Sequence, residues 1–184
     1  MRVLERLSDY SDAQLNQLEE NALKLQTGPK ADDANQVLMA VVEERGRRKL
    51  NNQIKAAEAA TRAKEKVVNL SFDQRVEAAF TDVPPLDWER AALAALAEHP
   101  GATTEELSRS LGYDGTYMNW FGMVCRDREP WLGPAMPGPD GKTVYSDLLV
   151  DFVTNSGDEA SPASKRWKLK SEALSALGKL GIIK

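Results

Sequence analysis

Residues 111–131, LGYDGTYMNWFGMVCRDREPW, crowd two tyrosines, two tryptophans, an asparagine and two arginines into a stretch that also carries apolar residues for a core. In a DNA major groove arginine pairs with guanine, asparagine pairs with adenine, and apolar groups meet thymine methyls. Thr116, Tyr117, Asn119, Trp120, Arg126 and Arg128 are therefore the candidate base-reading residues. Trp120 or Tyr113 could instead stack on a flipped or single-stranded base, a contact that contributes about 1–3 kcal/mol per base. Each residue also has a plainer use. Met118, Phe121 and Val124 have the spacing of a core stripe, and a large aromatic such as Trp120 often seals a small core. Arg126 and Arg128 flank Asp127 and Glu129, which also suits a solvated ion-pair face.

Base contacts need phosphate contacts to hold them in place, because neutralised phosphates dominate nucleic-acid affinity. Two segments supply the cations. RGRRK places Arg45, Arg47, Arg48 and Lys49 within five residues. SKRWKLK places Lys165, Arg166, Lys168 and Lys170 around Trp167, the basic-plus-aromatic mixture that suits a phosphate-tracking surface. Lys142, in the turn sequence PDGK, is a further candidate. Charge elsewhere opposes the idea. Residues 71–164 carry 6 Lys/Arg against 16 Asp/Glu, a net of −10, while residues 1–70 net +1 and residues 165–184 net +5. Any positive surface must therefore be local.

Other chemistry finds little support. Cys125 is the one cysteine and His99 the one histidine, so neither a disulfide nor a tetrahedral zinc site of the usual kind is available. Cys125 sits among apolar residues and His99 in the helix-ending run AEHPG, which reads as a core thiol and a surface terminus. No phosphate-cradling glycine loop or serine nucleophile elbow appears, and no carboxylate pair stands out. The expectation is a protein that is not an enzyme and needs no metal or cofactor. No apolar run approaches the ~20 residues of a membrane span. MRVLERLSDYSDAQL lacks the apolar stretch of a signal peptide, so the expected compartment is the cytoplasm.

The elements that must position these residues are mostly helices. SDAQLNQLEENALKLQ puts Leu15, Leu18, Ala22 and Leu25 on one face behind a Ser11 cap, and TGPKADD is a turn. A second helix starts near Asp33 with Val37, Leu38, Val41 and Val42 on one face, so the two should form a helical hairpin. Helix-favouring residues then continue to Leu70, interrupted only by Gly46. Beyond Leu50 this arm has too little apolar content to bury itself, and it reads as an exposed connector or a segment that pairs with another chain. FTDVPPLD marks a boundary. WERAALAALAEH, TTEELSRSLG and TYMNWFGMVCRDRE follow as three helices, the middle one opened by the Thr103–Glu106 capping box. A Pro/Gly-rich loop and the strand-formers near TVYSDLLVDFV come next, then a polar segment read as mobile, a short strand KRWKLK and a terminal helix.

Three short helices, the second and third joined by a glycine-containing turn and followed by a β-hairpin, resemble a winged helix-turn-helix domain over residues 86 to about 153. TTEELSRSLGYDGTYMNWFGMVCRD carries the match. The resemblance implies that Thr104–Leu111 is the first helix of the motif, Thr116–Arg126 the recognition helix, and Pro139–Lys142 the tip of the wing. Leu111, Gly112, Tyr113, Asn119, Phe121 and Gly122 are more loosely similar to winged-helix modules attached to bacterial restriction-type nucleases, some of which read modified cytosine. The expected fold is mainly α with a small β-hairpin. It divides into a helical hairpin with a long arm (1–70), a linker (71–85) and a winged-helix domain (86–184). The expected function is binding of double-stranded DNA, as a bacterial regulator or a reader of specific or modified bases. The competing expectation is a protein-interaction adaptor whose acidic winged helix docks a partner and whose arm, residues 50–70, forms a homodimer.

Overall fold

The computed structural model describes residues 4–112, 117–138, 140–153 and 165–184. The chain is mainly α-helical with one small antiparallel sheet of three strands. It divides into two compact units, Met1–Ala59 and Ala60–Lys184. No described helix is long and apolar enough to cross a membrane.

In the first unit a 3₁₀ helix, Leu4–Asp9, leads into α1 (Asp12–Leu25). Ser11 opens α1 with a reciprocal cap: its hydroxyl accepts the Gln14 N–H at 3.2 Å, and the Gln14 amide oxygen accepts the Ser11 N–H at 2.7 Å. After a turn, α2 runs Ala31–Val67 without interruption at Gly46, so the helix propensity of its neighbours outweighs one glycine. The hairpin core is small: Leu7, Leu15 and Val41 are buried, with Leu4, Tyr10, Leu18, Val37 and Ala40 packed around them. Its apolar stripe is narrower than expected, because Leu25 and Val42 stand exposed. Arg48 fastens the entry segment to α2. Its guanidinium donates to the Leu7 and Tyr10 carbonyls at 3.1 and 2.5 Å, to Asp12 at 2.8 Å and to Glu44 at 2.7 Å.

Glu44 is buried and receives both Arg47 and Arg48 at 2.7 Å, which holds its carboxyl down from an ordinary 4.5 to about 2. A carboxyl depressed on folding contributes stability above its unfolded pKa, and that contribution disappears as pH falls through the folded value. The hairpin is therefore expected to loosen between about pH 4.5 and pH 2. Amide exchange of residues 4–48 should rise across that window. In Glu44→Gln it should already be raised at neutral pH and should lose that acid limb.

The second unit takes in the end of α2, then α3 (Phe72–Asp82), α4 (Asp87–Glu98), β1 (Ala102–Thr103), α5 (Thr104–Ser110), α6 (Tyr117–Arg126), α7 (Glu129–Leu132), a 3₁₀ helix Tyr145–Leu148, β2 (Val150–Val153), β3 (Arg166–Leu169) and α8 (Ser171–Lys179). The strand order is β1-β3-β2, with β3 central and antiparallel to both neighbours. One continuous core joins α3 to α8 and the sheet, with Val76, Leu93, Leu96, Leu107, Phe121, Trp167 and Leu177 among its fully buried members.

Three sequence expectations need correction here. Residues 71–85 are not a linker: Phe72, Val76, Ala79 and Phe80 recur at helical spacing and seat α3 against α7 and α8. The compact units also divide at Ala59/Ala60 rather than at Leu70. The turn at residues 138–142 closes through the Gly138 N–H to the Lys142 carbonyl at 2.7 Å, but it precedes a 3₁₀ helix and does not join the sheet's hairpin strands. The β2–β3 connection runs from residue 154 to Lys165, and its residues 154–164 lie outside the described residues, as does Pro139.

Candidate nucleic-acid interface

α5 ends just before Gly112, whose φ of +75° is left-handed and favours glycine, and residues 113–116, Tyr113 among them, lie outside the described residues. The Thr103 hydroxyl accepts the Glu106 N–H at 3.3 Å and the Glu106 carboxylate accepts the Thr103 N–H at 2.8 Å, which starts α5 where the capping pattern predicts. In α6, Tyr117, Phe121, Val124 and Cys125 form the inward stripe at i, i+4, i+7 and i+8, all buried. The outward face carries Asn119, Met123 and Arg126, which are exposed. Half-buried Trp120 and Gly122 lie beside them. Trp120 meets Trp88 edge-on with ring centres 5.8 Å apart. A side chain at Gly122 would meet nothing within 4 Å, so another molecule can approach the backbone there.

Two residues expected to read bases are sealed inside. The Tyr117 hydroxyl donates to the Ala92 carbonyl at 2.8 Å, its N–H donates to the Ser108 hydroxyl at 3.2 Å, and its ring stacks on Phe121. Burial pushes its phenol pKa up, so it stays neutral. Arg128 follows the end of α6 and turns into the core, with 0% of its surface exposed. It donates to the Glu89 carboxylate at 2.9 and 3.2 Å, to the Val83 carbonyl at 2.9 and 3.2 Å and to the Val124 carbonyl at 2.9 Å. Its guanidinium also lies 4.3 Å from the centre of the Phe80 ring. Thr116 lies outside the described residues. Asn119, Trp120 and Arg126 remain at the surface, where Arg126 meets Asp127 at 3.3 Å. Met123 was missed by sequence reasoning. Its position four residues after Asn119 and three before Arg126 is the signal that could have found it.

The cations divide in the same way. On β3, Trp167 and Leu169 point into the core while Arg166 and Lys168 point out, so these two cations lie on the sheet face turned away from α6. Arg166 donates to the Gly101 carbonyl at 2.9 Å, and Lys168 sits in register with Asp151. The Lys165 ammonium lies 5.0 Å from the Phe152 ring centre. Lys170 is structural rather than phosphate-holding. Its ammonium donates to the Asp147 carbonyl at 2.5 Å and lies 5.3 Å from the Phe72 ring centre. Lys142 is exposed, 3.6 Å from Asp140.

In the first unit, Arg45 pairs with Glu19 at 2.8 Å and Asn16 at 2.6 Å, Arg47 with Glu44, and Arg48 is consumed by Glu44, Asp12 and the Leu7, Ser8 and Tyr10 carbonyls. Lys49 is exposed. Local ion pairing thus removes Arg48 from the phosphate-holding set and occupies part of the fork of Arg45 and Arg47. Cys125 is a core thiol whose pKa burial pushes up, as a buried structural cysteine behaves. Among the described residues no three His, Cys, Asp or Glu side chains gather around a metal-sized space. Compared with protein-family models, curated proteins and solved structures, the chain matches none of them.

Proposed function

We propose that residues 87–170 form a winged helix that binds double-stranded DNA through the outward face of α6, as a regulator or a reader of particular or modified bases. The observation that carries this reading is the exposed row Asn119, Met123, Arg126 on the second helix of a glycine-turned helix pair, followed by a strand hairpin. Asn119 suits adenine, Arg126 suits guanine, and Met123 gives an apolar contact for a thymine or methylated-cytosine methyl group. Trp120 flanks the row. Lys165 and Lys142 are the module's surface cations left for phosphate, since Arg166 and Lys168 lie on the sheet face turned away from α6.

A mobility-shift titration on mixed duplex DNA tests the idea. Binding should appear at low salt and weaken steeply as salt rises. Asn119→Ala and Arg126→Ala should each cost about 1–3 kcal/mol on a selected site and relax its sequence preference, whereas Lys165→Ala should weaken all sequences alike. No shift at low salt would end the proposal. The acidic excess of residues 71–164, together with the Arg126–Asp127 pair, favours a second reading in which the same face docks a protein. That reading expects no salt-dependent shift, and it expects partner binding to be lost in Met123→Glu but not in Lys168→Glu.

A further inference from the structure

We infer that the outward face of α2 between Met39 and Glu58 docks a second copy of this chain, with the two helices antiparallel. Met39, Val42, Leu50 and Ile54 are 66, 64, 56 and 47% exposed, large values for apolar side chains on one helix. At about 100° per residue they fall with Gly46 and Ala57 in a stripe roughly 120° wide. That stripe lies opposite Ala34 and Val41, the buried positions of the same helix. The spacing repeats after eleven residues, from Met39 to Leu50, a period that keeps a stripe nearly straight along an α-helix.

Three observations point to a copy of the chain as the occupant. The first is size. The hairpin centres on three buried apolar residues, and residues 49–59 are exposed on every side, whereas a free helix of that length is marginal in water. The four apolar side chains expose on the order of 400 Å² per copy, at the upper end of what monomers leave bare.

The second is Gly46. A glycine inside a helix costs about 1 kcal/mol relative to alanine. A side chain there would touch nothing within 4 Å, so the hairpin itself does not require the glycine. It is a flat seat in the middle of the stripe.

The third is charge. Arg47 and Glu58 lie on the same edge of the stripe, eleven residues apart. A two-fold axis passing between Asn52 and Gln53 brings Leu50 of each copy against Ile54 of the other, Gly46 towards Ala57, and Arg47 beside Glu58 at both ends. Lys49 then faces Ala56. A parallel pair would instead set Arg47 of one copy next to Lys49 of the other along both edges, a like-charge contact that the antiparallel pair avoids.

Sedimentation equilibrium on the full chain, without nucleic acid, reads the mass from low to high micromolar concentration. The expected result is twice the chain mass, returning to one chain in Leu50→Glu/Ile54→Glu with helicity of residues 60–184 unchanged, since both side chains are exposed. Gln53→Cys should cross-link to its own copy on mild oxidation and Gly46→Cys should not; the native Cys125 is buried and does not compete. A single-chain mass at every concentration overturns the proposal, as does a dimer indifferent to the double substitution. Cross-linking at Gly46 but not Gln53 overturns the antiparallel arrangement.

Discussion

Replacing Glu89 by leucine is expected to destabilise the second unit by about 3–5 kcal/mol, a large part of the 5–15 kcal/mol that holds an ordinary domain folded. The carboxylate occupies a junction. It takes two bonds from Arg128 and also accepts the Leu86 N–H at 2.9 Å, which closes the start of α4. Losing it leaves a guanidinium charged and unpaired at 0% exposure, and a guanidinium does not escape by giving up its proton. The Val83 and Val124 carbonyls and the Phe80 face soften the penalty but supply no countercharge. The partner substitution separates the cost of isolating a charge from the worth of the pair. Glu89→Leu with Arg128→Met removes both ions together and should recover most of the lost stability, because a buried ion pair is often no better than well-packed apolar residues. Urea melts followed by tryptophan emission report on this unit directly, since all four tryptophans lie in it. A single variant that melts within about 1 kcal/mol of the parent would show that Arg128 finds water on losing Glu89.

That pair also marks where the sequence stops being readable. Local signals are legible because they act over a turn or less: the Ser11 and Thr103 caps and the helix-ending Gly112 all appear in the structure, whereas Trp167, whose cationic neighbours suggest a phosphate-tracking surface, is fully buried. Tyr117 was legible in principle, since it shares the helical stripe of Phe121 and Val124, and polar hydrogen-bonding at its hydroxyl is what a buried tyrosine needs. Arg128 was not. It lies two residues past Arg126, hence on another side of any helix, and its partner is thirty-nine residues away in α4. Charge alternation in RDRE carries no sign of that contact. Residues 71–85 differ for another reason: the two prolines at 84 and 85 signal a break, although the apolar spacing of Phe72, Val76, Ala79 and Phe80 just before them is helical. PDG likewise draws the expected hairpin tip to residues 139–142, because proline, aspartate and glycine are strong turn chemistry, whereas the paired strands are β2 and β3. For the site, type and spacing found the outward Asn119 and Arg126. Whether a cation is free for phosphate depends partly on pairing that spacing does show, as Glu44 lies three and four residues before Arg47 and Arg48, and partly on distant neighbours such as the Asp147 carbonyl that holds Lys170, which no local pattern reveals.

Trp167→Ala should cost a further kind of stability, about 3–5 kcal/mol, and should also displace the proposed reading helix without altering any residue on its outward face. Trp167 is fully buried at the centre of the sheet. Its ring meets Tyr117, Phe121 and Phe152 edge-on at 5.5, 5.7 and 4.9 Å, and its indole N–H donates to the Thr104 hydroxyl at 3.0 Å. One side chain therefore ties β3 to the inward stripe of α6 and to the first residue of α5. Trp167→Phe keeps a ring among the aromatics but leaves the Thr104 hydroxyl, at 9% exposure, without its donor, a smaller loss of about 1–3 kcal/mol. The two variants thus separate the packing of α6 from the hydrogen bond to α5. Both should be compared in duplex binding at a temperature where each remains folded. If α6 reads DNA from a position that Trp167 sets, affinity should fall much further in the alanine variant than in the phenylalanine variant, while the salt slope, which counts phosphate contacts, stays nearly constant. Equal affinities in the two folded variants would show that the outward row holds its place without the indole, leaving Phe121 and Tyr117 against α4 and α5 as the support that matters.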